Sequence, residues 1–238
     1  MSQMGEWSVN KAILAGILVA LSLPTAARSQ TSQQLPPADA PAIAGDPSWL
    51  VWHTGDFFAS CDGDCSLALY GGREIRTQMT SAFLIRNPVA PWNWQAGEAE
   101  DVAGAFSRRF ATLFGALDLE AEAGIEQRFG NMHATVGWLA VDFRWTDFPW
   151  NRYLATTIAL ADGPSYASQI DEEERLRSGD NRGSNLLNFF SPEITFALPD
   201  RPDDQLMLRF QHRSGIFGLI NGVEGGSSFA VIGYRRAF

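Results

Sequence analysis

The amino-acid sequence predicts an all-β fold, an eight-stranded antiparallel up-and-down transmembrane β-barrel. Three observations carry that expectation. Eight runs of strand length alternate between an apolar and a polar face, the mark of a strand that sees two environments. The connections between the runs segregate by length, long at one end and short at the other, as in barrels that cross an outer membrane. Aromatic residues gather near turns at both ends, where a bilayer interface favours them.

Composition points the same way. Charged residues are 19% of the 238-residue chain and aromatic residues 12%, with 22 Gly and 8 Trp. That is aromatic-rich and charge-poor for a soluble domain and suits a turn-rich β protein. The net charge of −9 argues against nucleic acid as a partner, since such proteins carry a basic surplus.

The first element is a targeting signal over residues 1–29. Lys11 gives a positive start, residues 12–23 (AILAGILVALSL) an apolar stretch, Pro24 a break, and Thr25 to Ser29 small residues at cleavage-site spacing. The apolar stretch is short for a membrane-crossing helix, so a cleaved signal is expected, with an uncleaved anchor as the alternative. Residues 30–48 (QTSQQLPPADAPAIAGDPS) are rich in Pro, Ala and Gln without periodicity and read as a flexible linker. The barrel is expected over 49–238. Its first aromatic stretch, 49–58, packs on the barrel or lies at a membrane surface. Cys61 and Cys65 bracket Asp-Gly-Asp. Outside the cytoplasm two such cysteines form a local disulfide. The alternatives are a metal site using Asp62 and Asp64, or a redox pair.

The strand-like runs are 66–75, 101–114, 117–129, 133–146, 153–161, 188–198, 205–217 and 228–238. The third is the clearest: Leu117, Leu119, Ala121, Ala123, Ile125 and Phe129 share one face, and Asp118, Glu120, Glu122, Glu126 and Arg128 the other. The long connections are expected at 76–100, 162–187 and 218–227, with 130–132 at the same end. The short ones fall at 115–116, 147–152 and 199–204. The last run ends on Phe238.

The seventh run carries the candidate chemistry. Leu206, Leu208, Phe210, His212, Ser214 and Ile216 share its apolar face, and Met207, Arg209, Gln211 and Arg213 the opposite one. Residues two apart on a strand point the same way, so His212 and Ser214 are neighbours on a face that looks at lipid if the barrel spans a membrane. A serine nucleophile needs a base within hydrogen-bond reach and a group that orients the base. Ser214 is the candidate nucleophile, His212 the base and Glu224, across the turn, the orienting acid. Asn221 in the same turn is the candidate oxyanion donor. The chemistry would be attack on an ester carbonyl, an acyl-enzyme, then hydrolysis, with no cofactor and no metal. The plain alternative makes His212 an interfacial polar residue and Glu224 a loop charge.

Residues 209–234, in the last hairpin, resemble the C-terminal region of the lipid A 3-O-deacylases, the PagL-type outer-membrane esterases, with an acyloxyacyl hydrolase-like relative as the variant reading. That family places a His-x-Ser pair on the penultimate strand and a Glu shortly after it. The resemblance implies His212 as base, Ser214 as nucleophile and Glu224 as acid, a site on the lipid-facing wall, and lipid A of lipopolysaccharide as substrate and partner in the cell outer membrane. The chain departs from the pattern at Gly215, where the family has Asn directly after the serine; Gly215 is kept with Asn221 as a supporting position. The turn before Glu224 is also slightly shorter. Arg76, Arg86, Arg175, Arg177 and Arg182 are candidates to meet lipopolysaccharide phosphates. A homodimer stays open. The rivals are a non-catalytic small outer-membrane barrel, structural or adhesive, and a soluble periplasmic barrel that turns its apolar faces inward around an apolar ligand.

Overall fold

Strand alternation closes into a ring. The computed structural model describes residues 49–53, 60–83, 87–131, 133–170, 172–178 and 181–238; the expected signal peptide and linker lie outside the described residues. The strands are β1 (Leu50–Trp52), β2 (Cys65–Ile75), β3 (Ala96–Leu113), β4 (Leu117–Phe129), β5 (Thr135–Trp145), β6 (Ala155–Ala167), β7 (Leu186–Leu198), β8 (Arg201–Ser214) and β9 (Gly226–Ala237). Two short helices, α1 (Met79–Ala82) and α2 (Glu172–Arg177), sit in connections. Strands β2 to β9 pair antiparallel with their sequence neighbours, β2 also pairs with β9, and the eight form a closed barrel. Closure pairs the described strands on both sides over most of their length, and open sheet edges are what hydrocarbon does not tolerate.

Strand β1 stands outside the ring. It pairs with β3 at Leu113, Thr112 and Ala111, beyond the point where β2 begins opposite Arg108. It therefore covers a stretch of β3 edge that β2 leaves open. Cys61 and Cys65 are joined by a disulfide at the start of β2.

The two faces of the wall are inverted relative to a soluble barrel. Outward positions hold exposed apolar side chains: Leu67, Leu69, Val102, Ile125, Leu139, Val141, Phe143, Ile158, Leu208 and Ile232. Leu139 is 64% exposed, whereas Glu122, next to its cross-strand partner Ala123 and pointing inward, is 4% exposed. The lumen is filled by an ion-pair network. Arg144 bonds Glu120 (3.1 Å), Asp142 (2.7 Å) and Glu193 (2.8 Å). Arg209 bonds Glu122 (2.6 Å) and Glu193 (2.7 Å), and Arg235 bonds Glu120 (2.9 Å). Trp138 stacks on Phe189 and donates to Glu122 (2.8 Å). It lies over Gly124, where a Cβ would overlap the indole. An apolar exterior around a polar lumen is the arrangement of a barrel dissolved in lipid. It corrects the soluble alternative: the apolar faces point out, and salt bridges occupy the space an apolar ligand would need.

The ends differ as the connections foretell. Residues 76–95, 130–134, 168–185 and 215–225 connect strands at the far end, and 114–116, 146–154 and 199–200 at the near end. The tight β3–β4 turn uses left-handed backbone at Phe114 and Gly115, the geometry that suits the twist of a hairpin. Several boundaries depart from expectation: β3 starts at Ala96 and not at 101, β8 starts at Arg201 and not at 205, and two further departures bear on the site. Strand β6 runs on to Ala167 through Pro164, in unbroken register with β5, the ladder missing its rungs opposite Leu139 and Ala140; proline has no N–H to give there. Strand β8 stops at Ser214 because Ile216 and Phe217 both take left-handed backbone, at φ of 50° and 55°.

Candidate active site on the outer wall

The far end of β8 departs from the apolar rule of the outer wall. On the outward face, Phe210 is followed by His212 and Ser214, both half-buried. Burial there comes from protein. The β2–β3 connection folds back on the wall, so that Ile75, Ala82 and Phe210 form a small external core with Met79, Trp94 and Ala230 against it. Phe83 and Trp94 meet the Phe210 ring edge-on at 5.0 and 5.5 Å. Aromatic pairs in this geometry add about 0.5–1.5 kcal/mol beyond their burial. This shelf carries α1 to the rim of a pocket of about 420 Å³.

His212, Ser214 and Glu224 line that pocket together, with Asp162, Asn188, Phe190, Met79, Ile216 and Phe217. Register explains the grouping. Phe190 and Asn188 on β7 lie opposite His212 and Ser214, and Ser228 and Gly226 on β9 lie opposite the same two residues. His212 Nδ1 is 2.9 Å from Ser228 Oγ. Asn188 Nδ2 donates to Asp162 Oδ1 at 2.9 Å. The mix of apolar walls and a few converging polar groups suits a small-molecule site.

The closing loop is held by its own backbone. Gly215 is buried, its carbonyl accepts from Ile220 N (2.8 Å), and Val223 O accepts from Gly218 N (3.0 Å). A Cβ at Gly215 would overlap that same Val223 carbonyl, which gives a steric reason for glycine after the serine. Consecutive left-handed non-glycine residues at Ile216 and Phe217 store backbone strain of order 1–3 kcal/mol each, a feature that clusters at functional sites.

Asn221 is placed differently from the other candidates. Its Nδ2 donates to Ser184 Oγ (2.9 Å) and Leu186 O (2.8 Å), tying the loop to the start of β7, and it is not among the residues lining the pocket. Of the candidate phosphate-binding arginines, Arg86 lies outside the described residues, and Arg182 rests its guanidinium against Gly222 of the closing loop. Sequence reasoning missed Ser228, Asn188 and Asp162. Ser228 was within reach, because a hairpin closed between Ser214 and Gly226 puts residue 228 opposite 212. The sequence pattern puts Asn188 at the start of a strand and Asp162 in a connection, and the extension of β6 brings Asp162 onto the wall beside it.

Fold and site together define an eight-stranded barrel of the outer-membrane type with a pocket of apolar walls and a few polar groups on its outer face. No protein-family model matches the chain, and no curated protein matches it in sequence. Among solved structures it is similar in fold to the outer membrane enzyme PagL, at 15% identity and a TM-score of 0.46 over 73% of this chain and 99% of that one. It is also similar to Neisserial surface protein A, at 8% identity and 0.43 over 76% and 100%, and to the N-terminal β-barrel domain of Pseudomonas aeruginosa OprF, at 8% and 0.40 over 74% and 98%.

Proposed function

We propose that this barrel resides in the outer membrane and hydrolyses an ester-linked acyl chain of lipid A, with Ser214 as nucleophile, His212 as base and Glu224 as the acid that steadies the imidazolium. One observation carries the reading: His212, Ser214 and Glu224 converge on a single pocket on an outer wall that elsewhere carries a belt of exposed apolar side chains. A pocket on that wall is reached from within the bilayer, and its place at the long-loop end corresponds to the outer leaflet. The resemblance of residues 209–234 to the lipid A 3-O-deacylases selects lipid A among acyl esters.

The residues divide the work as follows. Ser214 Oγ adds to the ester carbonyl carbon while its proton passes to His212, and the carbonyl π pair moves onto oxygen. Collapse of the tetrahedral intermediate expels the sugar alkoxide, which takes the proton from His212 and leaves an acyl-serine. Water, deprotonated by His212, repeats the sequence and releases the fatty acid. Ser228, at His212 Nδ1, anchors the ring and leaves Nε2 as the base, so Glu224 steadies the imidazolium by its charge across the pocket and not by a bond to the ring. Met79, Phe190, Ile216 and Phe217 give the acyl chain an apolar wall. The test is mass spectrometry of lipid A from cells expressing the wild type or Ser214→Ala. Loss of one acyl chain with the wild type alone is the expected result. Unchanged lipid A in both, with the protein folded in the outer membrane, would move the assignment to a non-catalytic barrel.

A further inference from the structure

An acyl transfer through Ser214 needs a donor for the oxyanion as well as a base, because charge accumulates on the former carbonyl oxygen. Asn221 is committed to Ser184 and Leu186, and Gly215 offers no side chain. We infer that Asn188 is the oxyanion donor and Asp162 the residue that positions it; this rests on the serine esterase reading of the same site. Asn188 is the direct cross-strand partner of Ser214 in the β7–β8 pair, and side chains so placed lie about 4.5–5.5 Å apart at Cβ. Both residues line the pocket. Asp162, on the outward face of β6 one strand further round, accepts from Asn188 Nδ2 at 2.9 Å.

That hydrogen bond decides which end of the amide is which. An ionised carboxylate only accepts, so the group turned to Asp162 is the NH₂ and not the carbonyl. The NH₂ carries two hydrogens. One is held by Asp162, and the second serves the oxygen of a substrate bound over Ser214. The adjacent carboxylate also pins the amide against rotation, so the donor is in place before charge develops, which is what makes an oxyanion site effective. The unexpected run of β6 through Pro164 to Ala167 then has a function. It extends the wall far enough to bring Asp162 beside β7. The chain thus supplies its donor from the strand opposite the nucleophile, with the residue after the nucleophile kept as glycine for the close passage of Val223.

The experiment uses the full-length mature barrel in detergent micelles, with para-nitrophenyl decanoate and lipopolysaccharide as probes. Wild type and Ser214→Ala are compared with Asn188→Ala, Asn188→Asp, Asp162→Ala and Asp162→Asn, each checked for folding by the gel shift of the unheated barrel. Asn188→Ala is expected to lower kcat about 10²–10³-fold with KM little changed. Asn188→Asp keeps the volume but sets an acceptor against the oxyanion, so it should fall below Asn188→Ala. A residue that only shapes the wall would give the reverse order. Asp162→Ala should lower kcat about tenfold, near the cost of one hydrogen bond to a charged group. Asp162→Asn, whose amide oxygen still accepts, should recover most of it. Near wild-type kcat in folded Asn188→Ala, with Ser214→Ala inactive, would overturn the inference and leave the esterase standing. No Ser214-dependent hydrolysis by the wild type on either probe would overturn both.

Discussion

His212 and Ser228 face each other across the β8–β9 pair, with Nδ1 of the imidazole 2.9 Å from the serine hydroxyl. Backbone register alone makes them meet, so the ring is anchored by the most regular part of the fold. A hydrogen bond of this kind is worth about 1 kcal/mol net, which corresponds to about fivefold in rate. Ser228→Ala should therefore lower kcat about fivefold by freeing the ring and lower barrel stability by about 0.5–1.5 kcal/mol. Steady-state kinetics and a guanidinium titration on the same preparation check this. A loss as large as that of His212→Ala would mean that Ser228 itself is attacked or attacks.

Glu224 and Ser214 have unequal roles in the proposed triad, and the expected losses are unequal too. Glu224 stands on the closing loop, exposed to solvent on one side and lining the pocket on the other. Removing a nucleophile costs about 10⁶-fold in such systems and removing the orienting acid about 10⁴-fold. Ser214→Ala should abolish turnover, and Glu224→Gln should leave a residue of activity about two orders of magnitude above it. Equal activity of the wild type and Ser214→Ala removes the catalytic assignment entirely.

The barrel was legible in the sequence because its pattern has period 2 and its faces differ so sharply. Leu117 to Phe129 alternates apolar with charged residues, and the structure sends the first set to the outside and Glu120, Glu122, Glu126 and Arg128 into the lumen. Proline hid part of it. Pro164 reads as a strand breaker, yet it sits in β6 with the ladder simply missing rungs there, so Asp162 fell into an expected loop. His212 and Ser214 were legible from spacing along one strand. Asn188, Ser228 and Asp162 reach the site through neighbouring strands, and pairing register between strands is not written in any one of them. The shelf made by α1 and Trp94 over Phe210 was likewise hidden, because residues 76–95 carry no periodic pattern.

Gly215 ties the shape of the loop to the site. With the Val223 carbonyl where a Cβ would stand, even alanine must push the loop outward, and the displaced residues include Ile216, Phe217 and Glu224 at the pocket. A misplacement of about 1 Å at a reacting centre costs about 10²-fold. Gly215→Ala and Gly215→Asn should each lower kcat/KM by about that factor while the unheated gel mobility of the barrel stays that of wild type. Full activity in Gly215→Asn would show that the loop relaxes around the added side chain.

The lumen network should dominate stability. Arg209 bridges Glu122 on β4 and Glu193 on β7, and Arg144 joins Glu193 to Glu120 and Asp142. Removing one member of a buried pair strands its partner's charge, at about 3–5 kcal/mol. Arg209→Met should lower unfolding free energy by about that amount in detergent. The double change Arg209→Met with Glu122→Gln should recover part of it, because the stranded carboxylate is gone. A loss under about 1 kcal/mol in Arg209→Met would mean that water or a counter-ion takes over the role of the guanidinium.

The sidedness of the wall gives the sharpest physical test of the membrane reading. Leu139 stands in the middle of β5 on the outward face, opposite Ala123 of β4, and is 64% exposed. If hydrocarbon surrounds it, Leu139→Arg should destabilise the barrel by about 2–4 kcal/mol. On a water-facing surface the same change would fall within about 0.5 kcal/mol. The measurement is reversible urea unfolding in phospholipid vesicles, with Leu198→Arg, near the β7–β8 turn, as the comparison. A strand-end position lies at the interface, where an arginine costs about 0–1 kcal/mol, so the two variants should separate by at least about 1 kcal/mol. Equal and negligible effects at both positions would mean that the apolar belt is not buried in lipid, and with it would go the route by which an acyl chain reaches Ser214.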